Sequence, residues 1–239
     1  MSDIIYSCHQ PNFIPWLGYF HKILNSDYFV ILDEVQYVKN TIANRNKIKT
    51  SSGEQYITVP IAKRVNDSSF FSYKVARIAD ENWHIKAFKT IEQNYTHSKY
   101  FSTYKNEIFE IFKMKDFCEM NICFIQFILQ EFEITSKILL MSDLKGISGK
   151  KSELLVNIGN ALGANIYLSG NGARSYNEAD EFEKNDILIR YQKFNHPEYC
   201  QLYPPFLPYL SVLDLLFNEG SKGKSFLEKQ EFGTSINIE

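Results

Sequence analysis

The chain has 239 residues, 44% of them hydrophobic, enough for one α/β domain to bury a core without a metal or disulfide staple. Its formal net charge of -2 at pH 7 leaves no global basic field, so binding duplex nucleic acid mainly by phosphate neutralisation is excluded. Cys8, Cys118, Cys123 and Cys200 are scattered with no C-x-x-C pair, which predicts reduced thiols and a cytoplasmic setting. The opening MSDIIYSCHQPN lacks the basic and apolar regions of a secretory signal. The apolar stretch 122–141 is broken by Gln126, Gln130, Glu131 and Glu133, so it reads as a core-facing helix and not as a membrane insertion.

In chain order, residues 4–8 are β-favouring, 16–24 have helical apolar spacing, and 28–32 are β-rich and end at Asp33. That is a βαβ unit with parallel strands, whose polar residues just past the carboxyl ends gather at one sheet edge. His9, Gln10 and Asn12 are therefore expected near Asp33, Glu34 and Gln36. Residues 55–61 form a third strand candidate, 63–69 a polar loop, and 70–78 an alternating edge strand. From 80 to about 141 the spacing is helical. Leu154, Leu155, Ile158 and Leu162 make an apolar helical stripe stopped by Gly163. Residues 165–168 read as a buried strand opening into Ser169-Gly170-Asn171-Gly172, 187–194 as a further strand, and 211–218 as a last helix. The expected fold is a single α/β domain over 1–239, with a mostly parallel Rossmann-like sheet and a mainly helical insertion or subdomain at about 80–145. With 15 Tyr and 19 Phe, aromatic rings are first of all core material.

Four constellations could carry chemistry. In 9–20, HQPNFIPWLGYF, two prolines and a glycine fix a strand-to-helix turn that presents His9, Gln10 and Asn12 with free helix-start N–H groups, beside Trp16. In 31–50, Asp33, Gln36, Lys39, Asn40, Arg45 and Asn46 crowd a segment read as the loop after a buried strand, as a pocket for a hydroxyl-rich or phosphorylated ligand requires, with Arg45 as the anion clamp. Ser169 and Gly170 begin a glycine-rich turn that could bring backbone N–H groups to a phosphate, although it is neither Walker A nor G-x-G-x-x-G. His196 and Tyr199 sit in a proline-fixed segment, where the histidine could exchange protons near neutral pH. The five histidines form no H-x-x-x-H pair, so no metal is expected.

At HQPNFIPWLGYF, ILDEVQYVKNTIANRNKIKT, ITVPI, IYLSGNGARSY and FNHPEYCQLYPPFLPYLSVLDLLFNEG the sequence resembles the bacterial WbqC-like family. The resemblance implies a setting in O-antigen (lipopolysaccharide) and other surface-polysaccharide biosynthesis, beside enzymes of unusual amino sugars. The strand, the turn and the helix are also similar to the start of nucleotidylyltransferases and pantothenate-synthetase-like ligases, whose H-x-G-H is replaced here by Trp16-Leu17-Gly18-Tyr19. The leading expectation is a transferase that attaches an acyl or aminoacyl group, from a thioester or ATP-activated donor, to the amine of a nucleotide-linked amino sugar. His9 would be the base, Asp33 would orient it or the substrate, and His196 is the third catalytic candidate. Gln10, Asn12, Trp16, Gln36, Lys39, Asn40, Arg45, Asn46, Ser169, Gly170 and Tyr199 would line the substrate site. The expected partners are a nucleotide sugar and a second copy of the chain or an acyl carrier, with no nucleic acid. The alternatives are nucleotidyl transfer or ATP-dependent amide ligation, and a non-catalytic binding protein of a polysaccharide assembly complex.

Overall fold

Residues 3–62, 71–174 and 177–228 are described by a computed structural model. The first part of the chain holds β1 (Ile5–His9), α1 (Leu17–Leu24), β2 (Tyr28–Ile31), β3 (Arg45–Thr50) and β4 (Gly53–Thr58). Three helices follow, α2 (Trp83–Tyr95), α3 (Phe101–Phe112) and α4 (Phe117–Glu131). The rest is β5 (Lys137–Leu140), α5 (Lys151–Leu162), β6 (Ile166–Ser169), α6 (Ala179–Glu183), β7 (Leu188–Tyr191), α7 (Val212–Glu219) and α8 (Lys224–Glu228).

Five strands make one sheet in the order β5-β2-β1-β6-β7, and every neighbouring pair is parallel. The fold is Rossmann-like α/β, as the sequence predicts. Side chains alternate between two apolar layers with the two-residue strand period. Phe29 and Ile31 of β2 enter the larger core with α1, the β3–β4 hairpin, α2 to α4 and α7. Val30 and Leu32 enter the smaller core with α5, Tyr167 and Phe182. Tyr6 and Cys8 also belong to the smaller core, which places Ser7 and His9 on the α1 side. In α1 seven of eight residues are buried, His21 and Lys22 among them, so it is wrapped in protein rather than laid on a surface.

Three expectations are corrected. Segment 55–61 does not join the main sheet: β4 pairs antiparallel with β3, and β3 runs through Arg45 and Asn46, which were expected in a loop. Val59 N–H donates to the Asn44 carbonyl at 2.8 Å, closing the hairpin's base. Of the expected edge strand at 70–78, the described residues 71–78 give isolated bridges and a 3-10 turn over Tyr73–Val75, because Lys74 N–H turns to the Asp33 carbonyl. The helical stretch also ends early, since β5 returns at Lys137 to pair with β2; its four residues KILL are too short a run for periodicity to tell from helix. The polar loop expected at 63–69 lies outside the described residues.

A cleft where the central strands part

The sheet order reverses between β1 and β6, where open α/β sheets hold their ligands. These two strands pair at Ile5–Ile166 and Tyr6–Tyr167 and then separate. The carbonyls left by the interrupted ladder are taken by side chains: Ser7 Oγ donates to Leu168 O at 2.8 Å, and Lys22 Nζ donates to Cys8 O at 3.0 Å. Between the strand ends opens a cleft of about 560 Å³ lined by Cys8, His9, Gln10, Trp16, Lys22, Ser169, Gly170, Asn171, Gln192 and Phe194, among others.

The turn after β1 is held at four of its carbonyls. Tyr19 Oη donates to Gln10 O at 3.1 Å, Asn121 Nδ2 to Pro11 O at 2.8 Å, Asn46 Nδ2 to Ile14 O at 2.9 Å, and Val212 N–H to Pro15 O at 2.9 Å. Ile14 takes a φ of 35°, a strained value for a β-branched residue that persists only where its surroundings over-determine it. His9 Nδ1 lies 3.3 Å from the Gln10 carbonyl, an acceptor, and within reach of the Asn12 amide nitrogen, a donor, so the two neighbours call for opposite tautomers of the ring. Asn12 is buried beside that ring, with Nδ2 3.4 Å from Nδ1. Burial, and secondly the Lys22 ammonium, push His9 down to about 3, so it is a neutral imidazole at pH 7. Burial lowers Lys22 to about 8 and raises the Cys8 thiol to about 12, which leaves Cys8 an unreactive thiol.

A second hollow, of about 480 Å³, lies against the hairpin and is lined by Trp16, Asn40, Thr41, Ile42, Arg45, Asn46, Lys47, Tyr56 and Tyr209. Trp16 and Ile42 line both spaces and so form the partition between them. Arg45 stacks its guanidinium over Tyr56 at 4.7 Å with no acidic partner among the described residues. Lys47 is engaged by Glu54 at 2.6 Å. Tyr56 and Tyr209 are about half exposed, offering ring faces to a ligand.

The candidate residues thus fall into three groups. His9, Gln10, Trp16, Ser169 and Gly170 meet at the cleft, while Asn40, Arg45 and Asn46 line the neighbouring hollow. The others line neither. Asp33 does not meet His9: its carboxylate accepts from Ser142 N–H at 3.0 Å at the end of β5, on the other side of β2. Gln36 bridges to Ser72 and Lys39 is exposed. His196 is caged by Phe194, Tyr199, Phe206 and Tyr209, its Nδ1 2.9 Å from the Pro197 carbonyl and its Nε2 buried without a partner among the described residues. Tyr199 donates to buried Asp214 at 2.8 Å. The candidate cleft lies at the β1–β6 junction and not at the β1–β2 edge, because the Asp33 segment is drawn to β5 and to Lys74. Sequence reasoning missed Lys22 and Gln192. The available signal for Lys22 was a cation inside the apolar run LGYFHKIL, where a buried helix has no wet face.

Among the described residues no three His, Cys, Asp or Glu side chains cluster as metal ligands, and no helix is long and apolar enough to cross a membrane. No solved structure matches the chain. An uncharacterized protein of Mycobacterium tuberculosis is 31% identical over 222 residues, spanning 91% of this chain and 95% of that relative. The WbqC-like protein family matches residues 10–226, from the turn after β1 to α8, and the chain belongs to that family.

Proposed function

We propose that the protein is a transferase that acylates or aminoacylates the amine of a nucleotide-linked amino sugar for a surface polysaccharide. The observation that carries this reading is the pair of adjoining hollows separated by Trp16 and Ile42, which suits two substrates meeting at a shared wall. The cleft between β1 and β6 takes the nucleotide sugar, and the hairpin hollow, with Arg45 unpaired by an acid among the described residues and with half-exposed Tyr56 and Tyr209, takes the activated donor. The sugar nitrogen attacks the acyl carbonyl carbon, a C–N bond forms, and the bond to the thiol or phosphate leaving group breaks. The proton lost by nitrogen passes to the His9 imidazole and then to the leaving group. A base held near 3 is weak, and the anionic ligand strengthens it by offsetting the Lys22 charge that helps to depress it.

Calorimetric titration with uridine- or thymidine-diphosphate amino sugars and, separately, with ATP tests the reading. Binding of the nucleotide sugar, weakened by His9→Ala or Trp16→Ala, is expected. Tight ATP binding with no nucleotide-sugar binding would replace it with a nucleotidyl-transfer or ligase reaction. Unchanged surface glycan in His9→Ala and Arg45→Ala strains would leave a binding protein.

A further inference from the structure

We propose that Lys22 is the anion-binding centre of the cleft and that the group it receives is a diphosphate. Its side chain is among the buried ones, the residue being 4% exposed, and it borders the cleft. Among the described residues the ammonium makes one hydrogen bond, to the Cys8 carbonyl, and lies 5.6 Å from the Phe29 ring. No Asp or Glu is among the described residues lining the cleft, and Lys22 has no ion pair among them. An ammonium carries three N–H donors, so the carbonyl alone leaves it under-used and its charge uncompensated.

A purely structural role does not need this residue. The neighbouring orphan carbonyl of Leu168 is satisfied by the neutral hydroxyl of Ser7 at 2.8 Å, and a neutral donor would serve Cys8 equally without the penalty of a buried charge. A lone buried cation at the switch point of an open α/β sheet is instead matched by an incoming anion. In the lining of the same cleft, Gly170 and Gly172 have nothing within 4 Å of where a Cβ would stand, so a phosphate can come close to that backbone. Gln10 adds a neutral donor at the same wall, while the Gln192 amide nitrogen is spent on the Gly18 carbonyl and His21 Nδ1. Lysine is a point-charge phosphate binder that needs no planar, two-pronged partner.

The diphosphate form of this inference rests on the cleft being the nucleotide-sugar site; the anion site itself does not. The probe is inorganic pyrophosphate, titrated calorimetrically into the full chain and into Lys22→Met, with acetate as the carboxylate control. Saturable pyrophosphate binding is expected, at least about 30-fold weaker in Lys22→Met, with acetate at least tenfold weaker than pyrophosphate. Equal binding by wild type and Lys22→Met, or equal acetate binding, would overturn the proposal. Should the variant fail to fold, the 15N resonance of Lys22 Nζ in the wild-type protein decides: pyrophosphate must shift it, and an unmoved signal at saturation would overturn the proposal. Pyrophosphate bound through Lys22 with no affinity for nucleotide sugars would uphold the anion site and remove the transferase reading.

Discussion

Tyr95 Oη donates to Asp214 Oδ1 at 2.8 Å, joining α2 to α7 across 119 residues of sequence. The other carboxylate oxygen accepts from Tyr199 at 2.8 Å and from Gln201 Nε2 at 2.9 Å. Lys49 completes the network, donating to Gln201 Oε1 at 3.0 Å and to the Pro205 carbonyl. Burial pushes the Asp214 carboxyl up while the three hydrogen bonds and Lys49 hold it down. Asp214→Ala leaves two tyrosine hydroxyls without their acceptor, takes one acceptor from the Gln201 amide and removes the carboxylate whose charge faces Lys49, and should destabilise the fold by about 3 kcal/mol. The urea midpoint should fall with an unchanged m value. A loss under about 1 kcal/mol would mean that the network is wet and weak.

Lys22→Met should act on two observables in opposite senses to an ordinary core lesion. Because the Lys22 charge is the second cause of the low His9 value, after burial, its removal should raise the His9 pKa, read from imidazole proton shifts across a pH titration. A lysine held at about 8 instead of its ordinary 10.5 opposes folding at pH 7: its folded value lies below the unfolded one, so stability falls as pH drops from about 10.5 through 8. The penalty is about 3 kcal/mol, against about 1 kcal/mol for the lost bond to Cys8. The ligand-free variant should therefore melt a few degrees higher than the wild type. A lower Tm with an unmoved His9 titration would make Lys22 an ordinary structural donor.

Gly18 tests the partition. A Cβ built there would stand 2.3 Å from the Trp16 ring, so Gly18→Ala must push the indole out of the wall shared by the two hollows. Trp16 packs edge-on against Phe194 and tilted against Tyr209, at the edge of the core and not in its centre. Stability should change by less than about 1.5 kcal/mol, with Ala's better helix propensity offsetting part of the strain. Tryptophan emission should shift, and nucleotide-sugar affinity should drop about tenfold. Unaltered emission would mean that the indole stays in place.

The β1–α1–β2 unit and the strands after α5 were legible because their apolar runs and polar ends obey local rules: HQPN follows a β run, and Gly163, at φ 62°, stops α5 where the stripe ends. The direction in which each strand end faces was not legible. Asp33 and His9 stand at the ends of adjacent parallel strands, as expected, yet Asp33 is claimed by Ser142, 109 residues later, and no local pattern encodes that bond. Asn46 is likewise drawn inward to the Ile14 carbonyl, so an amide that reads as ligand-binding also latches the hairpin to the turn. Lys22 escaped because sequence heuristics place lysines in water, whereas the short α1 is covered on every side.

Acid should unfold the protein through its histidines, and the sign is set by where they are held. His9 is lowered to about 3 and His21 to about 4, and burial also lowers His196. Below the ordinary histidine value near 6.5 the unfolded chain takes up protons that the folded chain refuses, so stability is full above about pH 6.5 and falls as pH drops toward 4. Each such histidine contributes a slope of up to about 1.4 kcal/mol per pH unit. The raised Asp214 carboxyl has the opposite sign, favouring the folded state as the pH falls through its folded value. The cleanest single variant is His196→Phe, which removes a buried Nε2 that has no partner among the described residues from a cage of Phe194, Phe206 and Tyr209. Urea unfolding at pH 7.5, 6 and 5 should show a shallower decline in the variant and equal or greater stability at pH 7.5. Parallel declines in the two proteins would show that His196 titrates alike in the folded and unfolded chains, and that the cage does not exclude its charged form.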